Sequence, residues 1–249
     1  MSFVLKLMSN TSILRARYCS PIVLSGRYEI SLISMECWNS ISNLTSENNK
    51  FYYTVNNTQK ILEIPEGSYE IMDIQNYIPG ELREDHLKYP LQENEKIRLE
   101  DEPIILDGNK STFKTEILCR YSIDFTQPNN IGSILGFDKV ILPPFVRHVS
   151  TGIIKILTVE ELNVECNLVS NSFSNDKRSR DLYSCPISQP PGYKIIDVPK
   201  NLLFLPINTQ EIDEIELRLT DQEGKLVNLR GEFTTIRLHL RPAQDAFNI

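Results

Sequence analysis

At 249 residues the chain is long enough to bury a substantial core, and all-β folds of this size are often one domain. Its 26 Lys and Arg stand against 33 Asp and Glu, a formal charge of −7 with no long basic run. That balance argues against a protein that grips nucleic acid chiefly through its phosphates, and no direct nucleic-acid binding is expected. No apolar run reaches the roughly 20 residues that a membrane-crossing helix needs, so no membrane partner is expected either.

In chain order, the opening eight residues are apolar, but Arg15 and Arg17 follow without a small-residue cleavage site. The segment is therefore not expected to act as a signal peptide, and the protein is expected to be soluble and made in the cytoplasm or nucleus. Clean alternation of apolar and polar residues begins at 28–32 (YEISL), the pattern of a strand with one face in a core. Strands are also predicted at 51–55 and 60–64. The turn Pro65-Glu66-Gly67 then leads to a helix with Ser68 as its N-cap. Glu70 and Asp73 fall in its first turn, where the helix dipole favours acid, and Ile71, Ile74 and Ile78 share a face. Pro79-Gly80 is predicted to stop or kink it, although Leu82 keeps the apolar phase.

Further strands are predicted at 96–99, 113–125, 153–157, 162–169 and 202–206, with a short helical turn at 130–135 just before Gly136-Phe137. Turn chemistry separates them at Asp107-Gly108-Asn109, Pro143-Pro144 and Pro190-Pro191-Gly192. The stretch 171–181 (NSFSNDKRSRD) is polar and aperiodic and reads as a solvated loop. Near the end, 215–219 (IELRL) and 236–240 (IRLHL) alternate strictly, which puts Ile215, Leu217, Leu219, Ile236, Leu238 and Leu240 in the core. Between them, Asp221-Gln222-Glu223-Gly224 should form a tip leading to a partner strand near Leu226, with Gly224 at positive φ. Strand spacing and 14 scattered prolines together suit a β-sandwich.

No nucleophile elbow, phosphate loop, dinucleotide turn or paired-histidine helix is present. His86, His148 and His239 lie far apart in the chain, none at metal-ligand spacing. The acids Glu63, Glu66, Glu70 and Asp73 are accounted for by the helix start, and the mixed stretch 93–102 (ENEKIRLEDE) reads as a solvated face. Cys19, Cys37, Cys119, Cys166 and Cys185 are an odd set at irregular spacings, expected to be reduced packing residues. Sequons at Asn10, Asn43, Asn56 and Asn109 are expected to be unused without secretion. Trp38 is read as core. The sequence thus offers no catalytic residues, no cofactor-binding residues and no metal ligands, and no enzyme is expected.

Several stretches, taken in order, resemble proteins encoded by Maverick/Polinton-type virus-like elements. They are WNSISN at 38–43 with NNKF at 48–51, IPEGSYEI at 64–71 and IDFTQPNNIGSILGF at 123–137. The series continues with LNVECN at 162–167, PPGYKI at 190–195 and LRLTDQEGKLVNLRGEFTTIRLHL at 217–240. The group includes a double jelly-roll major capsid protein and a single jelly-roll penton, or minor capsid, protein, and this chain's length suits the single jelly roll. The resemblance implies a mainly β fold, an antiparallel jelly-roll β-sandwich with one or two short helices in connecting loops. It implies a single domain over residues 1–249 with loop elaborations. It also implies a structural role as a homo-oligomer, a pentamer at the vertices of an icosahedral virus-like particle, beside the major capsid protein of the same element. Localisation would be the virion. Two other readings stay open: a major capsid or spike component, and a monomeric β-sandwich binding or adhesion module that recognises a receptor or carbohydrate through Trp38, Tyr52, Tyr53 or Tyr193.

Overall fold

Burial alternates along the first strand, although its sequence does not alternate in polarity. In β1 (Phe3–Ser9), Leu7 is buried and Phe3 and Leu5 pack against the same core, while Val4, Lys6 and Met8 face out. The computed structural model describes residues 1–89, 99, 102–169, 172–174 and 177–243; it is mainly β, and its sheets are antiparallel. The chain divides into two compact units, Met1–Ile41 with Val159–Ile249, and Ser42–Thr158.

In the first unit β1 pairs with β18 (Thr234–Pro242), β18 with β3 (Tyr28–Trp38), and β3 with β15 (Lys194–Asp197). The short β16 (Leu205–Pro206) joins the same flank of β3 as β15. A second sheet runs β14 (Asp181–Pro186), β11 (Glu161–Cys166), β17 (Glu211–Thr220) and β2 (Ile13–Val23). Lettered B to I in chain order, with β16 set aside, the two sheets read BIDG and CHEF, the order of a jelly roll. Their inner faces share one core: Ile30, Leu32, Ile236, Leu238 and Leu240 from one sheet, and Leu14, Leu162, Val164, Ile215, Leu217 and Leu219 from the other. Leu238 shows why this register holds. It stands opposite Leu5 on one side and Leu32 on the other, and a slip of one residue would turn all three outward.

The second unit is inserted between β3 and β11 and has its own core. A four-stranded sheet runs β5 (Thr58–Glu63), β4 (Lys50–Val55), β8 (Ser122–Asp124) and β9 (Ile141–Leu142), and a three-stranded one β10 (Arg147–Val149), β7 (Lys114–Cys119) and β6 (Ile104–Asn109). The helix α1 (Ile71–Lys88) lies against β6 and buries Ile74, Ile78 and Leu82. Aromatic rings fill the unit: Phe51 meets Phe125 edge-on with centroids 6.2 Å apart, and Phe125 stacks on Phe137 at 5.2 Å.

Several local expectations are corrected. The helix is capped by Glu70, not Ser68, because the Asp73 carboxylate accepts the Glu70 N–H at 2.8 Å. At 18 residues it is longer than expected and runs through Pro79, since burial of Ile78 and Leu82 on both sides of the proline offsets the lost backbone bond. Asp107-Gly108-Asn109 belongs to β6, with Gly108 opposite Thr115 and Asn109 opposite Lys114; the reversal comes later, where the Phe113 N–H donates to Asn109 O at 2.8 Å. Residues 153–157 form no ladder, because Ile154 and Lys155 each donate a single bond, to Phe113 O and Ile134 O. Within 113–125, β7 and β8 join different sheets, and of 202–206 only Leu205–Pro206 pairs. The loop at 171–181 contains a two-stranded ladder, β12 (Ser172–Ser174) with β13 (Lys177–Ser179), which backbone bonds make without apolar alternation. The expected strand at 96–99 and most of the acidic stretch 93–102 lie outside the described residues.

Candidate functional site

The residues considered for chemistry are dispersed. His86 Nδ1 lies 3.0 Å from Arg120 Nη1, His148 Nε2 lies 3.0 Å from Pro143 O, and His239 pairs with Ser2 Oγ and the edge of Phe204. Among the described residues no group of three His, Cys, Asp or Glu side chains is placed to hold a metal, and no helix is long and apolar enough to cross a membrane. Tyr52 and Tyr53, named as contact aromatics, are buried in the second unit. Tyr52 donates to Pro128 O at 3.1 Å and Tyr53 to Asp85 Oδ2 at 2.9 Å. The other two are on the surface: Trp38 is 41% exposed and Tyr193 63%, and the Asn39 N–H donates to Tyr193 O at 2.9 Å. Trp38 is therefore not a core residue; it ends β3 where the strand leaves the sandwich.

Asp85 is a buried carboxylate held by Tyr53 and by Lys60 Nζ at 2.5 Å. Burial pushes its carboxyl up, but the hydrogen bonds from Lys60 and Tyr53 and the Lys60 charge outweigh that and hold it below the ordinary value. Burial, then the Asp85 contact, pushes the Tyr53 phenol up. These groups tie β4, β5 and α1 of the second unit together.

The two sheets of the first unit each present an outer face lined by charged side chains. On the BIDG sheet, Arg237 Nη1 and Lys194 Nζ both reach Glu36, each at 2.8 Å, while Arg241 Nε meets Glu29 at 2.5 Å and lies over the Phe204 ring at 3.4 Å. Hydrogen bonds from Lys194 and then Arg237 lower the Glu36 carboxyl to about 2. Beside this ladder Lys6 is exposed, with no ion pair among the described residues, and it is flanked on β1 by exposed Val4 and Met8. The outer face of the CHEF sheet carries Glu161, Glu165, Glu214 and Glu216, answered by Arg15, Arg17 and Arg218. Arg15 meets Glu216 at 2.6 Å, Arg17 meets Glu214 at 3.2 Å and Arg218 meets Glu165 at 3.3 Å. Glu211 and Asp213, at the start of β17, are exposed without ion pairs among the described residues. The sequence reading put Glu29, Glu216, Arg218 and Arg237 on the polar phase of their strands and did not place the others. It missed their pairing, because Arg237 and Glu36 are 201 positions apart.

Strand order, shared core and insertion together define a jelly-roll sandwich with a second compact unit in the connection after its third strand. Among solved structures the chain is similar to the crystal structure of the mavirus penton protein, with a TM-score of 0.50 and 14% identity, over 98% of this chain and 100% of that one. At that identity the likeness is one of fold. No family model matches the chain, and no curated protein matches it.

Proposed function

We propose that this chain is a structural, penton-like capsid protein of a Maverick/Polinton-type virus-like element, non-enzymatic, closing as a homopentamer at the vertices of an icosahedral particle beside a major capsid protein. The observation that carries the reading is the end-to-end likeness to the mavirus penton protein, 98% of one chain against 100% of the other, insertion included. A jelly roll supports it physically: its two sheets present two different outer faces, as a head-to-tail ring requires. Negative-stain imaging of the purified protein tests the symmetry. Five-fold rings are expected; trimers would move the reading to a major capsid or spike component.

The exposed neighbours Trp38 and Tyr193 favour a second reading, a sandwich that binds a carbohydrate or receptor with these rings. A protein that stays monomeric and binds a glycan array, with binding lost in Trp38→Ala, would establish that reading over the first.

A further inference from the structure

We propose that two copies of this chain meet through the outer face of the BIDG sheet on one and the outer face of the CHEF sheet on the next, oriented by opposite uncompensated charge. The inference rests on the homo-oligomer reading and adds which surfaces form it. On the BIDG face four cations, Lys6, Lys194, Arg237 and Arg241, stand against two acids, Glu29 and Glu36. Among the described residues Lys6 is the cation of this face without an ion pair. On the other face the three arginines are each engaged by a glutamate, and among the described residues Glu161, Glu211 and Asp213 have no ion pair.

The sign difference decides the symmetry. A two-fold contact between like faces would set cation against cation or acid against acid, which costs free energy in a contact shielded from water. A BIDG-on-CHEF contact sets Lys6 toward surplus acid, and repeating it by a constant rotation closes a ring. The BIDG face also exposes Val4 (58%), Met8 (54%) and Ile196 (64%), apolar side chains on both edge strands that such a contact would cover. A face four strands wide spans about 20 Å by 25 Å, which places the contact near the lower end of stable interfaces. The contact is therefore dependent on its charges and weakens with salt.

The test uses the full chain, with mass and stoichiometry read by native mass spectrometry and sedimentation at low and high ionic strength. Lys6→Glu and Asp213→Lys each change an exposed side chain, and circular dichroism melts check that each variant folds. Each single variant is expected to raise the self-dissociation constant about tenfold or more, and the Lys6→Glu/Asp213→Lys double variant to recover most of the loss. A wild-type ring that both single variants leave intact would overturn this choice of faces while leaving the homo-oligomer reading standing. A wild type that is monomeric at low salt and high concentration would overturn both.

Discussion

Each buried thiol sits where a thiolate would be poorly solvated. Burial pushes Cys37 and Cys166 up to about 11 and Cys119 and Cys185 up to about 12. The thiolate is the reactive form, so these four should resist a thiol reagent at neutral pH, whereas exposed Cys19 should not. An Ellman titration is expected to show one fast equivalent in the folded protein and five after denaturation, and two or more fast equivalents would contradict the burial. Asp85 provides a second test. Its folded value lies below the ordinary 3.8, so its contribution to stability is full above that pH and is lost as pH falls through the lower folded value. Asp85→Asn is expected to destabilise the protein by about 1–2 kcal/mol at neutral pH, because Lys60 is partly solvated, and to flatten the acid side of the stability curve. Thermal melts across that range would show it, and a variant as acid-sensitive as wild type would contradict the assignment.

The connection between β17 and β18 tests the turn chemistry. Asp221 N–H donates to Lys225 O at 2.8 Å, Gly224 N–H to Asp221 O at 3.0 Å, and Gly224 has φ +80°. A Cβ there would meet nothing within 4 Å, so only the backbone opposes substitution. Gly224→Val is expected to lower stability by about 1–2 kcal/mol through left-handed strain, with Gly224→Asn close to neutral; an unchanged melting temperature for the valine variant would remove the strain argument. This turn was legible because glycine follows three polar residues between two alternating runs, but the partner strand expected near Leu226 is only a single bridge from Thr220, and the next strand, β18, begins at Thr234 in the other sheet. The first half of β3 and the strands β17 and β18 were legible for the same reason: one face of each is apolar and the other polar. The strands β1 and β2 were not. Val4 and Met8 make β1 apolar on both faces, and β2 has only Leu14 fully buried. Trp38 misled because its size suggested core, whereas its place at the strand end leaves it exposed. The outer-face charges were visible residue by residue, but which of them meet depends on strand order, and local periodicity carries no information about that.

At the scale of the molecule, the expectation was one core elaborated by a helix. The described residues form two clusters of buried side chains, and the helix belongs to the second. We propose that the jelly roll is the domain that folds by itself and that Ser42–Thr158 is an insertion it tolerates. The jelly-roll residues that flank the insertion are tied to the segment between β17 and β18 of the same unit: Ser40 Oγ donates to Leu229 O at 2.6 Å and the Glu160 N–H to Gln222 Oε1 at 3.2 Å. Such exposed connections commonly accept insertion. Joining Ile41 to Val159 through a Gly/Ser linker of about 10 residues is therefore expected to give a soluble protein that melts cooperatively with a β-type spectrum. A product without a cooperative transition would show that the two units fold only together.

Assembly at a vertex is read out by electron cryomicroscopy of particles formed when this chain is co-expressed with the major capsid protein of the same element. Five copies are expected around each five-fold axis, every copy presenting one sheet face to each neighbour. Particles whose vertices lack this chain, or that carry it only in three-fold capsomers, would contradict it.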